Sequence, residues 1–169
     1  MNNIILIGFM GTGKTTIGKI LHKKLQIPFI DMDSKIIEYT GKPINKIFED
    51  EGELYFRKLE RELTKQLIQQ NNQIISTGGG IVLNQDNIND FMESGLVICL
   101  CASIETIIKR LKNDESRPLL LGNKIKKIED LLNDREHLYG KIPINQIKNI
   151  LKSKNKNIII ELDLSIFNI

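Results

Sequence analysis

The chain contains no tryptophan, four prolines and only two cysteines, and aromatic residues make up 5% of its sequence. It also has no apolar run of about 18 residues, which excludes a membrane-spanning helix, and its N-terminus lacks the layout of a signal peptide. We therefore expect a cytoplasmic protein with no membrane partner. Cys99 and Cys101 have no histidine or second cysteine pair beside them to complete a metal site, so we expect buried, reduced thiols.

The chain also lacks a large excess of either positive or negative residues. The 24 basic and 21 acidic residues leave a net charge of +3, and the two signs are mixed along the chain. A balance this weak does not indicate nucleic-acid binding. The length of 169 residues suits one domain with a sizeable core, and no repeat or Pro/Gly/Ser linker divides it. We predict a single domain over residues 1–169.

The segment Gly8–Thr16 matches the pattern G-x-x-x-x-G-K-[ST] at every fixed position. It follows a predicted strand and precedes an amphipathic helix, which is the context of a phosphate-binding loop, or P-loop. Its glycines allow consecutive backbone N–H groups to point at one anion, and the helix N-terminus adds a positive dipole. We expect Lys14 to reach the β- and γ-phosphates of a nucleoside triphosphate and the Thr15 hydroxyl to bind Mg²⁺.

Apolar runs alternate with helical patterns along the chain. The runs predict strands near residues 4–7, 28–31, 74–77 and 96–101. The helical periodicity predicts helices near 14–25, 84–93, 104–112 and 124–138, and helical segments through 34–70 that include a helix over Glu53–Gln70. Strands that are apolar on both faces and alternate with helices predict a parallel sheet between layers of helices, with right-handed crossovers. Near the C-terminus the pattern weakens, and we favour a strand near 145–150 and a final helix near 156–167.

Polar or glycine-rich segments follow three predicted strands, and ligands of such sheets bind at these strand ends. Asp31 and Asp33 follow the second strand. They could hold Mg²⁺ and accept the proton of a substrate hydroxyl, or Asp33 or Ser34 could simply cap the next helix, and the sequence leaves both interpretations open. The segment Gly78–Gly80 follows the third strand, and three consecutive glycines favour close backbone approach to a ligand over a plain turn.

Arg57 lies near the start of a helix whose apolar stripe begins at Phe56. Glu53 and Glu60 are four and three residues away, a spacing that is typical of an exposed charge ladder. On this pattern alone we predict that Arg57 lies on the surface.

Two further arginines, Arg117 and Arg135, follow the fourth predicted strand. Arg117 belongs to a polar segment that contains Pro and Gly, which is typical of an active-site lid. When such a lid closes, Arg117 could bring positive charge onto a transferring phosphoryl group. Arg135 extends the apolar face of its predicted helix, so a purely solvent-facing position is disfavoured.

In this order and spacing, the motifs resemble those of the shikimate kinases. They are the P-loop, the Asp-x-Asp pair, Phe56-Arg57-Lys58-Leu59-Glu60, the three glycines, Arg117-Pro118-Leu119-Leu120, and Arg135 with Tyr139. The resemblance runs from Ile4 to Tyr139. It implies a nucleoside-monophosphate-kinase-like, three-layer α/β/α fold with a five-stranded parallel sheet and a mobile lid near 112–123. It also implies an enzyme that uses ATP and Mg²⁺ to phosphorylate the 3-hydroxyl of shikimate, a step of chorismate and aromatic amino-acid biosynthesis, and we expect a monomer.

The resemblance assigns a role to each matching position. The positions that cradle the ATP phosphates are Gly11, Thr12, Gly13, Lys14, Thr15 and Thr16, with Arg110 on the adenine and Arg117 reaching the phosphates from the lid. The metal positions are Thr15 and Asp31. The substrate positions are Asp33, which binds hydroxyls and acts as or orients the base, Arg57 and Arg135, which grip the carboxylate, and Gly79 and Gly80. Binding of the substrate carboxylate replaces the surface interpretation of Arg57, because an anionic substrate needs a cationic, preferably forked, partner.

Two alternatives to this function remain. One is another small-molecule kinase of similar fold, such as a gluconate or nucleoside-monophosphate kinase, although a pair of carboxylate-binding arginines would then be harder to explain. The other is a non-catalytic nucleotide-binding module, which predicts no strong stimulation by an acceptor. A GTPase is disfavoured because no Asn-Lys-x-Asp motif follows a strand.

Overall fold

The computed structural model describes residues 2–112, 118–120 and 123–140. Four strands lie in this part of the chain: β1 (Asn3–Ile7), β2 (Phe29–Asp31), β3 (Ile74–Ser76) and β4 (Gly95–Cys99). Its α-helices are α1 (Lys14–Leu25), α2 (Met32–Thr40), α3 (Ile44–Leu67), α4 (Gln85–Ser94), α5 (Ile104–Leu111) and α6 (Lys124–Tyr139). Single 3₁₀ turns cover Ile81–Leu83 and Pro118–Leu120. The predicted positions of these strands and α-helices are therefore confirmed, apart from the break between α2 and α3 and small differences at the ends of elements.

The strands form a parallel sheet in the order β2-β3-β1-β4. The centre of the register pairs Ile5 with Ile75 on one side and with Val97 on the other. The α/β class and the parallel sheet are as predicted, but the sheet of the described residues has four strands rather than the expected five. The strand predicted near 145–150 and the helix predicted near 156–167 lie outside the described residues.

Strand β1 is buried on both faces because its side chains alternate between two apolar clusters. Ile5 and Ile7 pack into the larger cluster, which includes Phe91 of α4. Ile4 and Leu6 pack into a second cluster with side chains of α1. Burial of each such side chain stabilises the fold by about 1.5–3 kcal/mol, which explains why this strand is apolar throughout.

Helix α3 bends at Gly52, whose φ of 82° and ψ of 170° are not helical. Its second part therefore begins at Glu53, where the sequence predicted a helix to start. Phe56, Leu59 and Leu67 are buried along one face of this part, and Arg57, next to Phe56 in its first turn, lines the cleft at the end of the sheet. None of the helices within the described ranges combines the length and the apolar character that crossing a bilayer requires.

Candidate active site

A cleft of about 980 Å³ opens at the carboxyl ends of the strands. Its walls come from the loop after β1, the end of β2 with the first turn of α2, the glycines after β3, the first turn of α3 after its bend, and the segment that enters α5. This is the edge at which parallel sheets bind ligands, because polar loops and helix N-termini meet there. The predicted convergence of three strand ends on one crevice is confirmed.

The P-loop wraps around the side chain of Lys14. Its Nζ donates hydrogen bonds to the carbonyl oxygens of Gly8 (2.8 Å) and Phe9 (3.0 Å), and the residue is 8% exposed. Gly11 and Gly13 have φ angles of +80° and +98°, which side-chain-bearing residues rarely adopt. Because Gly13 ends the loop directly before α1, the unpaired N–H groups of that helix face the cleft, as an anion site requires.

Thr15 and Asp31 meet across the cleft floor although they are sixteen residues apart. The Thr15 hydroxyl donates a 2.8 Å hydrogen bond to one Asp31 carboxylate oxygen. The other Asp31 oxygen accepts from the Ser34 backbone N–H at 3.2 Å and caps α2. Of the two interpretations that the sequence left open, the one in which Asp33 or Ser34 caps the next helix does not hold, because Asp31 is the cap. A hydroxyl and a carboxylate at this distance are oxygen ligands of the kind that Mg²⁺ prefers, so this pair fits the predicted metal position.

Asp33 is the second residue of α2, and a second carboxylate lies near its side chain. A Cβ atom built on Gly78 would lie 3.1 Å from Asp33 Oδ1 and 2.6 Å from Glu60 Oε1. Both carboxylates therefore approach the same glycine from the cleft side. Because Asp31 caps α2, Asp33 is released from the capping role that the sequence had left open.

Arg57 is held between two glutamates. It donates to Glu53 through Nε (3.1 Å) and Nη2 (2.6 Å), and through Nη1 to Glu60 (2.6 Å). Its side chain is only 19% exposed and lines the cleft. Burial lowers the pKa of Arg57, but the neighbouring carboxylates outweigh burial and leave that pKa raised. The predicted ladder of charges exists, but the prediction of a surface position is wrong because the bend at Gly52 turns this helical turn into the cleft.

Glu60 is a site residue whose importance the sequence did not reveal. It is 1% exposed, and its Oε1 has no hydrogen-bond partner within the described part of the chain. Burial raises the pKa of Glu60, while the Arg57 guanidinium opposes that shift. The signal in the sequence was its position three residues after Arg57, which a charge ladder explained equally well.

Arg135 reaches the same cleft from α6. It is 4% exposed and lines the cleft. Burial lowers the pKa of Arg135, and the nearby Arg57 contributes to that shift. The predicted position on the buried edge of its helix is confirmed. Arg57 and Arg135 thus bring two forked cations to one end of the cleft, where a carboxylate would satisfy both.

The three glycines after β3 are needed mainly for space. None of them has a positive φ. A Cβ at Gly80 would collide with the guanidinium of Arg57, and a Cβ at Gly79 would lie 3.0 Å from the Met10 backbone nitrogen. The backbone is therefore approached closely, as predicted, but by side chains and backbone of the protein itself. On the side of Gly79 toward α6, the Tyr139 hydroxyl donates a 2.5 Å hydrogen bond to its carbonyl oxygen.

Arg110 lies above the P-loop, where its Nη1 donates a 2.9 Å hydrogen bond to the Gly11 carbonyl oxygen. Arg117 and most of the predicted lid at 112–123 lie outside the described residues. Cys101 is exposed in the cleft wall and Cys99 is half-buried, so the prediction of two buried thiols is wrong for Cys101. Burial, with a contribution from Cys101, raises the pKa of Cys99 to about 12, which keeps this thiol protonated.

Comparisons with known proteins agree on one family. The model of the shikimate kinase family matches residues 10–163. A shikimate kinase of Caldicellulosiruptor bescii is 49% identical over 140 residues, which cover 82% of this chain and 81% of that protein. One from a Sulfurihydrogenibium species is 46% identical and covers 82% of this chain and 83% of its own.

A solved structure gives the same result in three dimensions. The shikimate kinase of Acinetobacter baumannii, determined in complex with shikimate, superposes with a TM-score of 0.82 at 36% identity. The match covers 85% of this chain and 81% of the other. The P-loop kinase fold that the motifs predicted is therefore confirmed.

Proposed function

Since the chain belongs to the shikimate kinase family, we propose that it transfers the γ-phosphoryl group of ATP to the 3-hydroxyl of shikimate. The observation that carries the proposal is the joint position of two groups of side chains in one cleft. Lys14 and Thr15 lie at its phosphate end, and Asp33, Arg57 and Arg135 lie at its other end. A triphosphate and a carboxylate-bearing alcohol are two anions that this arrangement suits.

The phosphate end would hold the donor. The P-loop from Gly11 to Thr16 supplies backbone N–H groups to the ATP phosphates, and Lys14 would leave its loop carbonyl partners to reach the transferring phosphate. Arg110 would contact the nucleotide from above the loop, and Arg117 would bring charge to the phosphates from the lid. These groups neutralise charge and position the phosphoryl group, which is most of what phosphoryl transfer requires.

The other end would hold the acceptor. Arg57 and Arg135 would bind the shikimate carboxylate through charge-assisted hydrogen bonds, each worth about 1.5–3 kcal/mol. Gly79 and Gly80 would line the ring from the backbone. Asp33 would accept the proton of the attacking hydroxyl or orient that hydroxyl, while Asp31 caps α2.

Mg²⁺ is the metal that suits the oxygen pair of Thr15 and Asp31, with Asp31 acting directly or through water. The ion would neutralise phosphate charge when bound. The 2.8 Å distance between the Thr15 hydroxyl and the Asp31 carboxylate supports this assignment, because ligands that share one ion must lie close together.

One experiment separates the possible functions: ADP release measured with shikimate, gluconate and AMP in parallel. We expect that only shikimate stimulates release and that the product carries phosphate on the 3-hydroxyl, as phosphorus NMR would identify. Stimulation by gluconate or AMP would support the alternative kinases, and slow release that no acceptor stimulates would support a nucleotide-binding module. Lys14→Met should abolish release, and Lys19→Met, on an exposed position of the same helix, should not.

The proposal includes a single domain over residues 1–169 that works as a cytoplasmic monomer, with a lid near 112–123. Light scattering in solution measures the mass, and a dimer would contradict this part of the proposal.

A further inference from the structure

Tyr139 contacts the glycine segment from outside the cleft. Its hydroxyl donates a 2.5 Å hydrogen bond to the carbonyl oxygen of Gly79, and the residue is 9% exposed. Burial raises the pKa of Tyr139 above its usual value of 10, so the hydroxyl remains a protonated donor over the whole working pH range. Tyr139 is not part of the cleft wall, whereas Gly79 and Gly80 are.

The three glycine carbonyls have different partners. Within the described residues, those of Gly78 and Gly80 accept hydrogen bonds from the backbone N–H groups of Ile81 (3.3 Å) and Leu83 (3.0 Å) in the turn that follows. The Gly79 carbonyl accepts from Tyr139 instead. Glycine adopts a wider range of backbone angles than any other residue, so the peptide unit between Gly79 and Gly80 could rotate at low cost without this contact. The Tyr139 hydroxyl is therefore the group that holds the Gly79 carbonyl in place.

Peptide planarity carries this constraint to the other side of the segment. The carbonyl of Gly79 and the N–H of Gly80 belong to one planar, trans peptide unit, in which the two bonds point in opposite directions. When the carbonyl points toward Tyr139, which is not part of the cleft wall, the N–H of Gly80 points in the opposite direction.

We propose that Tyr139 is a positioning residue that fixes the peptide between Gly79 and Gly80, so that the acceptor end of the cleft keeps a backbone N–H donor in place for shikimate. Tyr139 follows Arg135 by one turn of α6. One helix end therefore presents a substrate-binding arginine and holds the backbone beside it. The inference rests on the proposed function and adds to it a residue that does not touch the substrate.

The test is Tyr139→Phe, which removes the hydroxyl and keeps the ring that fills the core. We expect the KM for shikimate to rise about three- to tenfold, the change that loss of one ordinary hydrogen bond produces. The KM for ATP should stay close to that of the wild type, and the melting temperature should fall by only a few degrees, as the loss of one buried hydrogen bond implies. The matched control is Tyr39→Phe, at a position that is 80% exposed, which should change none of these quantities.

A second measurement does not depend on substrate. The chain has 12 glycines, so selective ¹⁵N-glycine labelling gives a sparse spectrum. The amide signals of Gly79 and Gly80 should shift or broaden in Tyr139→Phe, while the signals of the P-loop glycines stay in place.

Three results would overturn the inference. They are an unchanged KM for shikimate, unchanged signals of Gly79 and Gly80, and a parallel loss of melting temperature and of affinity for both substrates, which a purely structural tyrosine would cause. If the wild type fails to phosphorylate shikimate, the proposed function fails instead. The glycine signals then decide alone whether Tyr139 fixes this peptide.

Discussion

Arg57 donates a 2.6 Å hydrogen bond to Glu60, a carboxylate that is 1% exposed and has a second oxygen without a partner among the described residues. A buried charge is retained only where a partner compensates its lost hydration. The ion pair stabilises the buried Glu60 carboxylate and also fixes the position of Arg57. The guanidinium cannot turn to solvent without leaving the carboxylate uncompensated. The wall of the acceptor end is built around this pair.

Replacing Arg57 with lysine should raise the KM for shikimate about tenfold or more while the KM for ATP changes little. Lysine keeps the charge beside Glu60 but loses the planar fork that binds a carboxylate through two parallel hydrogen bonds. Steady-state kinetics with each substrate varied in turn measures the effect. Arg61→Lys is the matched control, because Arg61 is four residues along the same helix and pairs with Asp90 outside the cleft. An unchanged KM for shikimate would remove Arg57 from the acceptor site.

Glu60 should make the folded state less stable as the pH rises. Burial raises the pKa of Glu60 above its usual value of 4.5, so the folded chain keeps a proton there that the unfolded chain has already lost. The free energy of unfolding should therefore fall with increasing pH from about 4.5 up to the folded pKa. Denaturant unfolding of the wild type and of Glu60→Gln over this range isolates the effect, since the variant lacks this titration. Glu62→Gln, exposed on the same helix, should retain the wild-type slope. Parallel curves for the wild type and Glu60→Gln would contradict the prediction.

Asp33→Asn should lower kcat by about 10²–10⁴-fold, the range expected when a general base is removed. The affinity for ATP should stay near that of the wild type, because Asp33, beside Gly78 and Glu60, belongs to the proposed acceptor site rather than to the phosphate site. Turnover and nucleotide titration are both measured, with Asp130→Asn on the exposed face of α6 as the control. Near-normal turnover of Asp33→Asn would show that another group accepts the proton.

Asp31→Asn should raise the Mg²⁺ concentration that half-maximal activity requires, and excess Mg²⁺ should restore much of the rate. Asparagine caps helices about as well as aspartate, so the substitution keeps the cap on α2 and removes mainly the negative charge beside Thr15. A Mg²⁺ titration at fixed ATP measures the requirement. The control is Asp86→Asn in the first turn of α4, outside the cleft. If Asp31→Asn shows the wild-type requirement, Asp31 does not contribute to the metal position.

Gly80→Ala should impair shikimate binding more than it impairs folding. A methyl group there collides with the Arg57 guanidinium, so this side chain must shift within the cleft while it stays paired with Glu53 and Glu60. We expect a KM for shikimate raised about tenfold and a loss of about 1 kcal/mol or less in unfolding free energy. Gly140→Ala is the matched control, because its Cβ would lie 3.7 Å from the nearest atom. A variant with normal shikimate affinity would show that the guanidinium position is not critical.

Much of the fold was predictable from local patterns. The strand–glycine–helix order around Lys14, the β-strands and α-helices that the structure describes, and the convergence of strand ends depend on residues close together in the chain. Hydrophobic periodicity and backbone geometry act over such short distances. The resemblance to the shikimate kinases likewise depends only on the order and spacing of the motifs along the chain, and the comparisons confirm it.

The tertiary structure alone decided how these residues are paired. Asp31 rather than Asp33 caps α2, Arg57 is held between Glu53 and Glu60, Glu60 is buried with one oxygen unpaired among the described residues, and Tyr139 reaches Gly79 from sixty residues away. The physical reason is that burial, pKa and hydrogen-bond partners depend on which elements pack against a residue. Neighbours such as Gly78 and Glu60, or Gly79 and Tyr139, are separated in sequence, and no local pattern encodes their contact. The sequence therefore determined the elements and the chemistry of the cleft, and packing determined which atoms face each other within it.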